Sequence, residues 1–377
     1  MTLNRFINGH VVTDAGVLPG AAIDVKAGLI VAISPDQKGG ETVDLDGGWL
    51  VPGFIDTQVN GGGGVLFNDA PTVETIAAIG AAHAPYGTTG YLPTLISDEA
   101  AVIAQALDAT DAAIEAGVPG VVGIHVEGPV INLSRKGIHD PARFRRLGPD
   151  LMDLLTRPRR GRVMLTLAPE LVSSADLHAL TSAGVIVSIG HSDGDYETTR
   201  DRIADGITGV THLYNAMSPL VQRAPGVVGA ALEDQSIYCG LIVDGFHVHD
   251  AALRIALRAR PIDRFMLVTD AMPCVGAASK DFVLQGRQIT VENGRCVGPD
   301  GTLAGSDLDM TAAVRNAVER LGLSVAQAAA MAATSPAAFL RLSDERGTIT
   351  PGKRADFVHL TADLYPAGTW IGGTPIA

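Results

Sequence analysis

Four side chains in this sequence stand where a metal-assisted hydrolysis would need them. His191 follows the apolar run 185–189, and His212 ends a second short apolar step at 210–212. Glu127 closes the run 121–126 and precedes Gly128-Pro129, and Asp270 closes the run 265–268. Taken singly, Glu127 reads equally as a surface-loop glutamate, and Asp270 as a turn or cap aspartate before Pro273. Beside two histidines in the same structural phase, Glu127 completes a Glu-His-His set with coordination left over for water, the pattern of a catalytic rather than a structural zinc site. An aspartate next to such a water can take its proton and return it to a leaving amine.

A cluster of this kind requires several strands whose C-terminal ends face the same way. From about residue 5 to 50 the pattern is short apolar segments broken by Gly, Asp-Gly and Pro, the marks of strands and turns. After Pro52-Gly53-Phe54-Ile55-Asp56 the pattern changes. Strand-like runs at 91–95, 121–126, 163–167, 185–189, 210–212, 237–243 and 265–268 alternate with helix-like ones at 72–86, 100–116, 175–183, 196–205 and 250–258. The alternation, with about eight strands, predicts a (β/α)8 barrel that displays its site at the strand C-termini. Residues 282–302 interrupt it with a hairpin over 289–298, turning at Asn293-Gly294. Helices over 309–321, 324–333 and 334–340 close the barrel, and 347–360 returns to strand character. The expected organisation is an α/β protein: a barrel over 52–344, and a small β-sandwich domain built from both termini, 1–51 and 345–377.

Composition narrows the partners. The chain of 377 residues has 28 basic and 41 acidic side chains, a net charge of −13, which argues against nucleic acid and anionic membranes as partners. It leaves an anionic small molecule open, because a few Arg, His and backbone N–H groups suffice to bind a phosphate. Its 44 glycines and 5% aromatics, with Ala, Val, Ile and Leu dominant, suit parallel strands packed under helices. Cys239, Cys274 and Cys296 are odd in number and lack Cys-x-x-Cys spacing, against a disulfide framework or a thiolate zinc site. No apolar run approaches the ~18 residues of a membrane span, so a soluble cytoplasmic protein is expected.

Longer motifs then carry a resemblance. Gly87-Thr88-Thr89 with Leu92-Pro93-Thr94, His125-Val126-Glu127-Gly128-Pro129, Gly190-His191-Ser192, Thr211-His212-Leu213-Tyr214-Asn215-Ala216-Met217, Asp244-Gly245-Phe246-His247, Thr269-Asp270-Ala271 and Leu303-Ala304-Gly305-Ser306 resemble those of the N-acetylglucosamine-6-phosphate deacetylases, in the amidohydrolase superfamily. The resemblance implies hydrolysis of the acetamide of N-acetylglucosamine 6-phosphate, with one divalent metal per subunit, zinc first and Fe, Mn or Co as other occupants of the same donors. It implies Glu127, His191 and His212 as metal ligands, Asp270 as general base and then acid, and His139 as the group that polarises the amide carbonyl. It further implies that His247, Arg223 and the backbone N–H groups of Asn215 and Ala216 hold the phosphate, and that a loop arginine such as Arg223 can cross the interface of a homodimer. Where many amidohydrolases carry His-x-His, this chain has Gln58-Val59-Asn60; an amide is a poor zinc ligand, so the expectation is one metal, with Gln58 and Asn60 bonded to water or substrate. His83, His125, His178, His249 and His359 read as packing or surface histidines, and Cys274 as a possible pocket residue. Three rivals stand: the galactosamine epimer as substrate, a cyclic-amide hydrolase with no use for a phosphate site, and a silent scaffold, against which the intact Glu127, His191, His212 and Asp270 argue.

Overall fold

Short apolar runs buried on both faces become parallel strands, and here eight of them form one sheet. They are β1 (Phe54–Val59), β2 (Thr88–Ile96), β3 (Gly123–Glu127), β4 (Arg162–Leu167), β5 (Ile186–Ile189), β6 (Gly209–Val210), β7 (Tyr238–Leu241) and β8 (Phe265–Leu267), paired in that order. The computed structural model describes residues 4–35 and 41–376, so residues 1–3, 36–40 and 377 of the expected terminal domain lie outside it. Just past β8 the sheet closes on itself. The Asp270 N–H donates to the Gln58 carbonyl at 3.0 Å, the Asn60 N–H to the Ala271 carbonyl at 2.9 Å, and Val59 bridges Ala271 in parallel. This is a (β/α)8 barrel, and its seam is made by residues that also line the candidate site.

The barrel interior is layered. At the strand N-termini Ile55, Leu92, Met164, Ile186 and Met266 pack on Ala337, Phe339 and Leu340 of a C-terminal helical segment, which plugs that end. Above them lies a buried polar chain: Thr94 Oγ1 meets His125 Nδ1 at 3.1 Å, His125 Nε2 meets Thr166 Oγ1 at 2.7 Å, and Thr211 Oγ1 joins Thr166 and Ser188 at 2.7 and 2.8 Å. Every member has a partner, as buried polar groups require, so His125 belongs to the floor of the site. Two helices, Pro149–Thr156 and Gly226–Glu233, were not expected. The second is buried from Gly226 through Leu232, so it has no polar face, and the 3.6-residue amphipathic signal is missing.

Two further sheets lie in the terminal regions. One orders Leu29–Ser34, Ala22–Lys26, Asn4–Ile7 and Glu41–Asp44; the other joins both termini, with Trp49–Pro52 pairing antiparallel to Phe357–Leu360. Between them Phe6 meets Phe357 and Trp370 edge-on at ring distances of 5.1 and 5.0 Å. The interruption after β8 is larger than a hairpin: Phe282–Leu284, Arg287–Glu292, Arg295–Val297 and Leu303–Ser306 form a four-stranded antiparallel sheet. Its Asn293-Gly294 turn has φ of 52° and 84°, the left-handed pair a tight hairpin turn demands. The sheet buries Leu284, Ile289 and Cys296 against Ile138 and Met272, and so roofs the cavity described next. Among the described residues no helix is long and apolar enough to cross a membrane.

Candidate metal centre and substrate cavity

Glu127 is the last residue of β3 and is 2% exposed. Its Oε1 lies 3.0 Å from His191 Nε2 and 3.0 Å from His212 Nε2, and the two nitrogens are 3.2 Å apart. Burial works to raise the Glu127 carboxyl, but the two histidines outweigh it and hold it well below the usual carboxylate range. Burial likewise works against charge on His212, and the hydrogen bond it donates to Glu127, with the charges of Glu127 and Asp270, overcomes it, raising the imidazole. His191 Nδ1 donates to the Arg135 carbonyl at 2.8 Å, which leaves its Nε2 lone pair facing Glu127. A tetrahedral ion with bonds of about 2.0–2.2 Å spaces its ligands about 3.3–3.6 Å apart, so the three converging atoms need open by only a few tenths of an ångström to hold one. A looser group that takes His139 in place of His212 spans up to 4.8 Å. The tighter triangle is the better ligand set, because its atoms already touch.

The backbone here is unusual. His191, His212, Tyr214, Ala216 and Asp270 have φ of 50°, 36°, 80°, 49° and 52°, in the left-handed region that residues other than glycine rarely enter. Each such residue costs of order 1–3 kcal/mol and persists where its surroundings enforce it, most often at functional sites. The turns let the chain leave β5, β6 and β8 with His191, His212 and Asp270 lining one cavity.

Asp270 Oδ1 accepts from Asn60 Nδ2 at 2.7 Å and from Gln58 Nε2 at 3.1 Å, and the Gln58 amide also reaches Glu127 Oε2 at 3.2 Å. Among the described residues no hydrogen bond engages Asp270 Oδ2. Burial first, and the Glu127 charge next, push the Asp270 carboxyl up to about 6. Gln58 is buried, does not line the cavity, and spans the two carboxylates with its amide. Asn60 lines the cavity but spends its amide N–H on Asp270.

His139 sits over His191 with ring centroids 4.4 Å apart. Its Nδ1 meets Ser97 Oγ at 2.8 Å and the Ser97 N–H at 3.4 Å, so we assign the ring proton to Nε2 from this network. Burial and then the neighbouring His191 push His139 down to about 3, so the ring is neutral and presents an N–H donor. Ser97 escaped the sequence reading, although it stands at the C-terminal end of β2 in phase with the other site residues.

A cavity of about 350 Å³ joins these groups to Asn215, Ala216 and His247. Asp244 Oδ2 lies 2.6 Å from His247 Nδ1 and so turns the other ring nitrogen toward the cavity. The Asn215 N–H closes the turn onto the His212 carbonyl at 2.9 Å, and the Asn215 side-chain amide donates to His212 and Leu213 carbonyls at 3.1 and 3.4 Å, so Asn215 shapes the loop and its N–H is not available to a ligand. Arg223 is exposed at the tip of the turn between Val221 and Ala224 and does not line the cavity of its own chain. Cys274 is also outside the cavity lining, buried with its Sγ 3.7 Å from Cys296 Sγ. His83 and His359 are bonded to the carbonyls of Gly61 and Leu45, and His249 caps the helix Asp250–Ala259.

Comparison with known proteins places this site in context. The model of the amidohydrolase family matches residues 49–376. An N-acetylgalactosamine-6-phosphate deacetylase of Shewanella sp. (strain ANA-3) is 41% identical over 96% of this chain and 93% of its own. An N-acetylglucosamine-6-phosphate deacetylase of Haemophilus influenzae is 34% identical over 97% of each chain. Among solved structures, that of N-acetylglucosamine-6-phosphate deacetylase from Pasteurella multocida superposes with a TM-score of 0.96 at 33% identity, covering 99% of each chain.

Proposed function

The chain belongs to the amidohydrolase family, and on that premise we propose that it hydrolyses the acetamide of N-acetyl-D-glucosamine 6-phosphate to D-glucosamine 6-phosphate and acetate. The observation that carries this reading is one cavity holding three things: a Glu-His-His triangle, an aspartate with one free oxygen, and anion donors on its far wall.

Glu127, His191 and His212 would hold the divalent ion, for which we propose zinc. When bound, such an ion supplies Lewis acidity toward the carbonyl and lowers the pKa of water. Asp270, oriented through Oδ1 by Asn60 and Gln58, takes the proton of the attacking water on Oδ2 and returns it to the departing amine. The His139 Nε2–H donates to the carbonyl oxygen as negative charge grows there. The Ala216 N–H and the outer nitrogen of His247 take the phosphate and thereby fix the scissile bond over the ion. Arg223 does not line the cavity of its own chain; we propose that it reaches the phosphate from a second subunit of a homodimer, with exposed Leu220 and Val221 beside it as part of the contact. Three unpaired cysteines suit a reducing cytoplasm, where we assign the enzyme to amino-sugar breakdown.

The galactosamine epimer is the second reading, favoured by the 41% identical relative. Metal analysis of the purified protein, with acetate release measured side by side on the two sugar phosphates, decides between them. Higher kcat/KM on the glucosamine compound is the expected result. No acetate from either, with metal bound, would sink the proposal. Replacing His139 by Gln should lower kcat about 10²–10³-fold with little change in KM, since its donor acts on the growing oxyanion. An unchanged kcat would remove His139 from the mechanism.

A further inference from the structure

We infer that Glu170 is a positioning residue that sets the spacing between the metal centre and the phosphate anchor, an inference that rests on the function proposed above. Glu170 stands in the short turn Pro169–Leu171 after β4. Its carboxylate takes three donors: Ser192 Oγ on Oε2 at 2.7 Å, and on Oε1 the Asp193 N–H at 2.8 Å and Asn132 Nδ2 at 3.0 Å. Among the described residues no Lys or Arg pairs with it, so the charge serves neutral donors alone.

Those donors belong to the segments that build the site. Ser192 and Asp193 follow the ligand His191. The Ser192 N–H donates to the Ala216 carbonyl at 3.1 Å, and its carbonyl accepts from the Ser218 N–H at 3.0 Å, so Ser192 is tied directly to the anchor loop. The Asn132 N–H donates to the His191 carbonyl at 2.8 Å and opens the loop that carries Arg135 and His139. Gly194 closes over the carboxylate, where a Cβ would stand 3.1 Å from Ser192 Oγ and 3.2 Å from Glu170 Oε2. One ionised carboxylate therefore joins the ligand segment, the His139 loop and, through Ser192, the phosphate loop. Hydrogen bonds to an ionised acceptor are the stronger kind, which suits a joint that must not drift.

The test uses the metal-loaded enzyme and the variants Glu170→Gln and Ser192→Ala. For each, kcat/KM is measured on N-acetylglucosamine 6-phosphate and on unphosphorylated N-acetylglucosamine, with metal content and Tm alongside. Glutamine keeps the shape but replaces one acceptor oxygen by an NH2 group facing donors. The expected result is that the preference for the phosphorylated sugar falls about tenfold or more in Glu170→Gln, mainly through KM, while metal content holds and the unphosphorylated sugar is little affected. Should that variant fail to fold, Ser192→Ala, which keeps the carboxylate and removes one donor, is expected to lower the same ratio to a smaller extent. Equal losses on both substrates, or an unchanged ratio, would overturn the inference. A wild-type enzyme that shows no preference for the phosphorylated sugar would overturn the proposed function and this inference with it.

Discussion

Exchange of Asp270 for asparagine is expected to lower kcat by about 10³-fold or more, with metal content unchanged. The asparagine can keep one hydrogen bond to Asn60 or Gln58, so the fold of the seam survives, but it cannot accept and release a proton. The pH profile supplies a second readout. Burial and the Glu127 charge push the Asp270 carboxyl up to about 6, and only the ionised form is a base, so kcat/KM should fall as pH drops through that value. A cation held by Glu127, His191 and His212 favours the ionised form and moves this limb to lower pH. The limb should therefore lie at about 6 or below and be absent from the residual activity of the variant. Turnover that survives the exchange, or a limb well above 6 that persists in the variant, would show that another group is the base.

Loss of Glu127 should be as severe by a different route. Its carboxylate is the one negative charge in the triangle, with a nitrogen 3.0 Å away on either side. Glu127→Ala leaves two buried imidazoles facing each other with no anion between them. Removal of a group that merely orients a ligand costs about 10–100-fold in metal affinity, and removal of the ligand itself should exceed that. The expected outcome is protein purified without metal, activity at background, and no rise in Tm on adding zinc, where the wild type gains stability by mass action. Full metal occupancy in the variant would remove Glu127 from the ligand set.

The positions of Glu127, His191, His212 and Asp270 were legible because each is a polar residue at the end of an apolar run, and the βα period puts all such ends on one face. Their convergence was not legible, since it depends on left-handed backbone at His191, His212 and Asp270 that no residue type announces. Side-chain pairings across long stretches of sequence were also hidden. Ser97 to His139 and Gln58 to both carboxylates join segments up to 212 residues apart, and an amide or hydroxyl carries no mark of its partner. The family motifs raised the expectation of a phosphate site at Asn215 and Ala216 but could not tell that the Asn215 N–H is taken by the turn. Arg223 lies on an exposed turn that does not line the cavity of its own chain, which its motif could not reveal. Glu170, after a short Ala-Pro step, has neither periodicity nor phase to draw attention to it.

The barrel seam has a consequence for how the molecule is made. Synthesis runs from the N-terminus, and β1 cannot be paired on its outer side until Asp270 and Ala271 have emerged. Trp49–Pro52 must wait longer, for Phe357–Leu360. Until then two strand edges lack the partners they have in the finished fold, and unpaired edges are prone to pairing with a neighbour. Complete closure hides those edges, joins the two termini into one sandwich, and brings Asp270 to Glu127, His191 and His212. A nascent or truncated chain that stops short of it lacks both the protected surface and the chemistry.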